Sequence, residues 1–224
     1  MSNNKNELKV ITTSDGSYTI FNSKINESYH STHGALQESK HVFIKYGFHL
    51  IEQPHIHILE IGLGTGLNAA LTWIEASEKK IKTTYATLEP FPPTTPILNE
   101  VIVGYKAEIG DKLARIHTAD WEIPVSFDPD FLFTKHQTTL EDYHTHSQFD
   151  LIYFDAFSPE VQPEMWTIAL FKKMRGMLKQ DGILTTYCAK GSVKRNLADA
   201  GFAVKGVNGP PGKREITIAI RKEV

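Results

Sequence analysis

Glycines and acidic residues stand at the ends of several β-prone runs, where backbone and side chains can meet a ligand. The run His57 to Ile61 leads directly into Gly62, Gly64 and Gly66. Glycines let a chain turn tightly and approach a ligand closely, and a helix after such a turn offers free N–H groups. The G-x-G-x-G spacing differs from the dinucleotide motif, and the Lys-Ser/Thr ending of a phosphate loop is missing. The sequence therefore predicts a ligand site at this turn.

Two further β-prone runs end in acids that suit a nucleoside ligand. Glu89 follows the run Thr83 to Leu88, a place from which an acid accepts hydrogen bonds from ribose hydroxyls. Asp120 follows the run Ala114 to Thr118, and the adjacent Trp121 offers a face for an adenine ring. Each of these is an ordinary loop residue when taken alone. Their order along the chain, after the glycine turn, predicts a nucleoside-binding edge.

Asp155 is the first candidate for a catalytic residue. It follows the run Leu151 to Phe154, and the carboxyl end of a central strand faces the ligand crevice of an open α/β sheet. The alternative is an acid that caps the helix beginning after Pro159.

The elements that must position these residues alternate in type. From His55 onward, short β-rich runs alternate with longer helical or irregular stretches, which predicts an α/β fold with a mostly parallel sheet. The last two runs, Ala203 to Val207 and Ile216 to Ile220, predict an antiparallel C-terminal hairpin at one edge. Before the run Ile183 to Tyr187, a helix is predicted that ends at Asp181-Gly182. One face of it is lined by Trp166, Leu170, Met174 and Met177 or Leu178.

The first fifty residues predict a separate extension. The runs Leu8 to Thr13 and Tyr18 to Phe21 flank a turn-rich tetrapeptide, which indicates a hairpin, and Ala35 to Tyr46 has helical spacing. We expect residues 1–50 to form this extension and residues 51–224 to form the main domain.

Composition indicates an ordinary globular protein. The 224 residues are 41% hydrophobic and 22% charged, with a net charge of -2, which excludes disordered and coiled-coil classes. A single cysteine, Cys188, favours a reducing compartment, and neither a leader nor a membrane span is evident, so we expect a cytoplasmic protein.

Glu60 before the glycine turn and Asn68 after it complete a pattern that resembles motif I of class I S-adenosylmethionine-dependent methyltransferases. The resemblance implies a Rossmann-like fold and S-adenosyl-L-methionine as cofactor. It implies that Gly62, Gly64 and Gly66 approach the methionine part, that Glu89 lies at the ribose, and that Asp120 with Trp121 lies at the adenine. The other residues expected to bind the cofactor are Glu60, Asn68 and Asp155.

A narrower resemblance extends from about Asp15 to Arg221. Its motifs are Glu27-Ser28-Tyr29-His30-Ser31, Asp155-Ala156-Phe157-Ser158-Pro159, Pro163-Glu164-Met165-Trp166 and Gly212-Lys213-Arg214-Glu215. Together they are similar to the methyltransferase half of the bifunctional tRNA enzymes called MnmC, and nothing resembles the oxidase half. The chain is therefore similar to the stand-alone form, MnmD.

That family methylates the primary amine of 5-aminomethyl-2-thiouridine at the tRNA wobble position, giving 5-methylaminomethyl-2-thiouridine. By resemblance, Asp155 is the essential acid at the amine, and Glu38 and Tyr29 are candidates to line the pocket. Asp155 is expected to orient the amine, while the group that removes its proton stays open. Residues 123–148 match no pattern of the family.

The anticodon loop of tRNA is the expected partner. From residue 190 onward the chain has eight Lys or Arg against three Asp or Glu, a net charge of +5. We expect RNA contacts from the basic residues Lys190, Lys194, Arg195, Lys213 and Arg214. An ordinary solvated edge is the alternative.

Other chemistries have weaker support. Cys188 could be a covalent nucleophile, but methylating an amine needs none, and a buried thiol is favoured. The histidines lack the Cys/His framework of a metal site, so no metal is expected. A small-molecule or polyamine transferase on the same fold, or a non-catalytic RNA-binding module, remains the alternative function.

Overall fold

The computed structural model describes residues 7–223. The polar N-terminal residues on which the expectation of no leader depends lie mostly in residues 1–6, outside the described residues. The N-terminal segment forms a three-stranded antiparallel sheet of β1 (Leu8–Thr12), β2 (Tyr18–Asn22) and β3 (Glu27–Ser28). In the β1–β2 turn, the Asp15 carboxylate accepts a hydrogen bond from the Ser17 backbone N–H at 3.0 Å. The predicted hairpin is therefore present.

The predicted helix after this sheet is present as two joined pieces. Helix α1 (Ala35–Ser39) runs directly into a π-helix over Lys40–Lys45, and a 3₁₀ turn covers Phe48–Leu50. Glu38, Val42 and Phe43 are buried.

An eight-stranded sheet forms the rest of the core. Its strands are β4 (His55–Ile61), β5 (Lys82–Leu88), β6 (Val125–Asp128), β7 (Phe131–His136), β8 (Phe149–Phe154), β9 (Leu178–Thr186), β10 (Phe202–Asn208) and β11 (Glu215–Arg221). They lie in the order β10-β11-β9-β8-β4-β5-β7-β6. The five strands from β9 to β7 pair in parallel, and β6, β11 and β10 are antiparallel to their neighbours. The predicted sheet and its C-terminal edge hairpin are confirmed.

Helices cover both faces of the sheet. They are α2 (Leu67–Lys79), α3 (Thr95–Gly104), α4 (Ala107–Thr118), α5 (Ile168–Met177) and α6 (Gly191–Asp199), with a 3₁₀ turn at Pro163–Trp166. Alternate residues of β4 point to opposite faces, so Leu59 belongs to one apolar cluster with Met174 of α5, and Ile58 belongs to the other with Trp73 of α2. This is a doubly wound α/β fold.

The strand predicted over Ala114 to Thr118 is wrong. These residues form the end of α4, whose Ile109, Leu113 and Ile116 recur at helical spacing and face the cluster beside α2. The third parallel strand is instead β7, within the stretch that matched no family pattern. Asp120 and Trp121 therefore follow a helix, not a strand.

The end of the helix before the fifth parallel strand also differs from expectation. Helix α5 ends at Met177, and β9 begins at once with Leu178. Asp181, with φ of 59°, and Gly182 lie within β9, beside a register shift in its pairing with β8. They form an irregularity inside the strand, not a helix end.

No helix within residues 7–223 is long and apolar enough to span a lipid bilayer.

Candidate active site

The carboxyl ends of β4, β5 and β8 meet at one point of the sheet. The Gly62 N–H donates to the Leu88 carbonyl at 2.9 Å, and the Asp155 N–H donates to the Ile61 carbonyl at 3.0 Å. The chain continues from β4 to β5 on one side and returns as β8 on the other, so the strand order reverses here. Open α/β sheets bind their ligands in the crevice at such a point.

The glycine turn after β4 has a backbone that other residues rarely adopt. Gly62, Gly64 and Gly66 have φ of 93°, 51° and 81°. A Cβ on Gly62 would lie 2.7 Å from the Asp155 carbonyl oxygen, and one on Gly64 would lie 3.0 Å from the Tyr29 ring. Both the conformation and the close approach therefore require glycine at Gly62. The turn leaves a surface of bare backbone beside the crevice.

Glu89 ties the end of β5 to this turn. Its carboxylate accepts hydrogen bonds from the Gly64 N–H at 2.9 Å and from the Phe91 N–H at 3.0 Å. Burial raises the pKa of Glu89, and these two bonds oppose the shift. Since each carboxylate oxygen has two lone-pair positions, Glu89 can still accept from a ligand hydroxyl.

Asp155 follows β8 and shares its surroundings with two buried polar side chains. The Asn68 amide donates to the Asp155 carboxylate at 2.8 Å. Burial, and next the charge of Glu38, raise the pKa of Asp155 to about 7, although Asn68 and Lys213 oppose the rise. The side chain is only partly covered, because it faces the crevice. A carboxyl group with this pKa exchanges its proton near neutral pH.

Glu60 lies behind Asp155 and is fully buried. Its Oε2 accepts from the Thr87 hydroxyl at 2.9 Å, while its Oε1 has no hydrogen-bond partner among the described residues. Burial is the largest cause that raises the pKa of Glu60 to about 8, and the nearby Asp155 adds to the rise. Glu60 is therefore mostly neutral at pH 7.

Glu38 and Tyr29 reach the crevice from the N-terminal segment. Glu38 accepts from the Ser31 N–H at 2.7 Å and forms an ion pair with Lys213 of the loop between β10 and β11. The Tyr29 ring packs edge-on against Phe157 with centroids 5.1 Å apart. Burial raises the pKa of Tyr29 to about 12, so its hydroxyl stays neutral.

These residues surround a cavity of about 1070 Å³, the upper end of the size range of ligand sites. Among the predicted site residues, the cavity is lined by Tyr29, Glu38, Gly62, Gly64, Glu89 and Asp155. Three others, Glu60, Gly66 and Asn68, are not lining residues, although Asn68 donates to the lining residue Asp155 and the Gly66 N–H donates to the carbonyl of the lining residue Leu63. The cavity brings the predicted methionine, ribose and catalytic positions together.

Asp120 and Trp121 are not among the lining residues. Trp121 forms an isolated parallel bridge with Lys135, whose ammonium lies 4.6 Å from the centre of its ring. The loop after β7 lines the cavity instead, through Thr138, Thr139 and Leu140. Sequence reasoning missed this loop, although the alternating apolar residues Phe131 and Phe133 could have identified the strand that leads to it.

The cysteine and histidines considered as a nucleophile and as metal ligands do not form such sites among the described residues. Cys188 is buried, and burial raises the pKa of its thiol, which does not suit a nucleophile. No group of three or more His, Cys, Asp and Glu side chains within residues 7–223 is arranged to hold a metal ion. His136 bonds to Glu122, and His55 stacks near His57 with ring centroids 4.2 Å apart.

Comparison with known proteins agrees with this geometry. Residues 112–222 match a family of S-adenosyl-L-methionine-dependent methyltransferases. The chain is 31% identical over 225 residues to the tRNA 5-methylaminomethyl-2-thiouridine biosynthesis bifunctional protein MnmC of Vibrio campbellii, covering 88% of this chain and 33% of that protein. It is 28% identical to the protein of the same name from Ralstonia nicotianae, covering 90% of this chain and 33% of that one. The chain thus spans about a third of the length of these relatives.

Solved structures share the fold. The crystal structure of MnmC2 from Aquifex aeolicus superimposes with a TM-score of 0.78 and 23% identity, covering 100% of this chain and 73% of that one. A spermidine synthase from Thermotoga maritima superimposes with a TM-score of 0.58 and 11% identity, covering 95% of this chain and 68% of that one.

The fold and the site define a class I methyltransferase that uses S-adenosyl-L-methionine. The glycine turn, a wall of backbone where a Cβ would clash, and the buried acid Glu89 fit that cofactor. More narrowly, the chain is similar over 88% of its length to an MnmC protein, of which it spans about a third.

Glu60 gives this fold a testable dependence on pH. Its folded pKa of about 8 exceeds the ordinary value of 4.5, so the folded state keeps a proton that the unfolded chain has released. Stability from this group should therefore be present at low pH and be lost as the pH rises through about 8. In the wild type, the free energy of unfolding should decrease between pH 5.5 and pH 8. In Glu60→Gln, denaturant titration should show a decrease that is smaller by on the order of 2 kcal/mol.

The matched control is Glu78→Gln, which removes an exposed carboxylate from the same region, in α2. In this variant the free energy of unfolding should decrease with pH as much as it does in the wild type. An unchanged decline in Glu60→Gln would contradict a protonated, buried Glu60.

Proposed function

We propose that the protein transfers the methyl group of S-adenosyl-L-methionine to the primary amine of 5-aminomethyl-2-thiouridine at the tRNA wobble position. The observation that carries this proposal is Asp155, a carboxyl group with a pKa of about 7 that faces the cavity beside the glycine turn. Relatives named for this nucleoside support the same substrate. A cytoplasmic location follows from a tRNA substrate.

Cofactor contacts are assigned from the cavity wall. Gly62 and Gly64 offer bare backbone to the methionine part, and Glu89 offers its carboxylate to the ribose hydroxyls. Glu60, Gly66 and Asn68 keep this wall in shape. For the adenine, the loop after β7 at Thr138 to Leu140 is better placed than Asp120 and Trp121, because it lines the cavity.

S-adenosyl-L-methionine supplies an electrophilic methyl group on a sulfonium. An alkylamine at neutral pH is mostly an ammonium ion, which has no lone pair for attack. Asp155, held by the Asn68 amide, accepts a proton from the ammonium and orients the freed amine. The freed amine then has the lone pair that attack on such a methyl group would need, and a methylated amine would keep a positive charge until a second proton leaves.

The segments around Asp155 set its charge and its position. Glu38 lies near enough to oppose ionisation of Asp155, and Lys213 counters it from the same ion pair. Tyr29 and Phe157 form an aromatic corner beside the glycine turn, a surface that suits a flat uracil ring. We propose that Glu38 and Tyr29 position the substrate.

The division into residues 1–50 and 51–224 is part of the same proposal. The first segment has its own three-stranded sheet, yet Glu27 to Thr32 line the cavity of the second. We propose that the extension is the substrate-side wall of a methyltransferase core.

Labelled cofactor tests the substrate. We expect label from S-adenosyl-L-methionine to enter tRNA from cells lacking this methyltransferase activity, and to be recovered as 5-methylaminomethyl-2-thiouridine after digestion. The spermidine synthase likeness concerns the fold alone. Label in free polyamine and none in tRNA would overturn the proposal in favour of a polyamine transferase.

Asp155→Asn tests the role of the acid. The amide cannot accept the proton, so we expect turnover to fall on the order of 10²–10⁴-fold while cofactor binding, measured by calorimetry, is retained. For the wild type, kcat/KM should be full above about pH 7 and should fall as the pH drops below it, because the active carboxylate becomes protonated. Near-normal turnover of Asp155→Asn with bound cofactor would contradict this role.

The predicted basic region needs its own test, because three of its lysines are already paired. Lys190, Lys194 and Lys213 form ion pairs with acidic side chains, whereas Arg195 and Arg214 have no ion-pair partner within residues 7–223. We propose that this region still contacts the RNA backbone, with Arg195 as a free cation. Affinity for tRNA should then decline steeply with salt.

Arg195→Gln should weaken tRNA binding and reduce the slope of log affinity against log salt by about 1. Fluorescence anisotropy with labelled tRNA measures both. Lys79→Gln, in the last turn of α2, is the control and should keep the wild-type slope. An Arg195→Gln slope equal to that of the wild type would place the RNA contacts elsewhere.

A further inference from the structure

A second cavity lies beside the first and has no role in the chemistry described above. Its volume is about 430 Å³, within the size range of small-ligand sites. It lies between the loop after Asp155, at Ser158 and Pro159, and the loop after β9, at Tyr187 to Lys190. Lys213 and Arg214 close another side.

The two cavities share Tyr187 and Lys213 as lining residues. The Tyr187 hydroxyl donates to the Ala156 carbonyl at 2.9 Å, and the Lys213 ammonium lies 4.3 Å from the centre of the Tyr187 ring. Lys213 is also held by its ion pair with Glu38. A bonded, packed partition therefore separates two neighbouring spaces.

The charge in the second cavity is concentrated at one residue. Lys190 pairs with Glu160, Lys213 pairs with Glu38, and the single lining acid, Glu215, pairs with Lys194. Arg214 is exposed and has no ion-pair partner in the part of the chain that the structure describes. Its guanidinium is left to attract an anion.

The backbone fixes the position of Arg214. The Gly209 N–H donates to the Arg214 carbonyl at 3.1 Å, and the Lys213 N–H donates to the Pro210 carbonyl at 2.9 Å. Arg214 thus ends a closed loop immediately before β11. A guanidinium carried on this fixed backbone suits the planar, paired hydrogen bonds that phosphate oxygens accept.

We propose that the second cavity holds the nucleotide adjoining the modified uridine, with its phosphate on Arg214. This proposal rests on the proposed function, since a uridine in the first cavity is joined to neighbouring nucleotides and the second cavity is the adjacent space. Bases of single-stranded loops are splayed into pockets with aromatic walls, and phosphates are held by arginine. Tyr187 supplies the aromatic wall and Arg214 supplies the cation.

Short substrates isolate this contact from the rest of the tRNA. The probes are the nucleoside 5-aminomethyl-2-thiouridine and a trinucleotide with that nucleoside in the middle, each methylated with labelled S-adenosyl-L-methionine. For the wild type we expect kcat/KM to be about tenfold higher for the trinucleotide, the effect of one charge-assisted hydrogen bond. Arg214→Gln should remove this advantage.

Two further variants sharpen the comparison. Lys205→Gln removes an exposed cation from β10 that lines neither cavity, and it should keep the trinucleotide advantage. Ala189→Phe fills the second cavity without changing charge, and it should lose the advantage. Thermal denaturation and cofactor binding establish that each variant is folded.

The outcomes separate the two proposals. If the wild type shows no trinucleotide advantage, or if Arg214→Gln keeps it, the second cavity is not a nucleotide site although the proposed function stands. If the folded, cofactor-binding wild type methylates neither the short substrates nor tRNA, the proposed function fails and the nucleotide site fails with it.

Discussion

The approach of the β4 and β8 ends at Gly62 and Asp155 is the constraint on which the site depends. The Asp155 carbonyl oxygen occupies the space that a Cβ at Gly62 would need, and the Asp155 N–H is bonded to the Ile61 carbonyl. This contact fixes the glycine turn and the Asp155 carboxyl group relative to each other. Rigid strand ends hold functional groups more accurately than free loops do, so the turn and the carboxyl group face the same cavity in a fixed relative position.

Burial of acids is the energetic consequence of that arrangement. Glu60, Glu89 and Asp155 lie around one strand junction, and burial raises the pKa of each. The cost of burying each acid is reduced in a different way. Glu89 accepts two backbone N–H bonds, Asp155 accepts the Asn68 amide, and Glu60 takes a proton. The same desolvation that lowers stability brings the pKa of Asp155 into the range where a carboxylate is a useful base.

Sequence patterns predicted the elements with local signals and missed those that depend on packing. The glycine turn, the strand ends at Glu89 and Asp155, and both hairpins have local signals, and all are present. The end of α4 was misjudged because Ala114 to Thr118 is too short to separate strand from helix, whereas Ile109, Leu113 and Ile116 together have helical spacing. That error placed Asp120 and Trp121 after a strand, and it hid the loop after β7, which lines the cavity. The ion pair of Glu38 with Lys213 had no local signal, because its partners are 175 residues apart.

Ion pairs of this kind mean that a count of charges does not show how much positive charge is available to bind RNA. The charge count from residue 190 onward treats every lysine as free, yet Lys213 is committed to Glu38, and Lys190 and Lys194 are committed to Glu160 and Glu215. Much of the excess positive charge therefore holds the C-terminal elements against neighbouring segments and adjusts the charge near Asp155. Arg195 and Arg214 are the members of the predicted group that retain charge for a partner. Recognition of a polyanion would then depend on where these two guanidinium groups stand, not on the sum of charges.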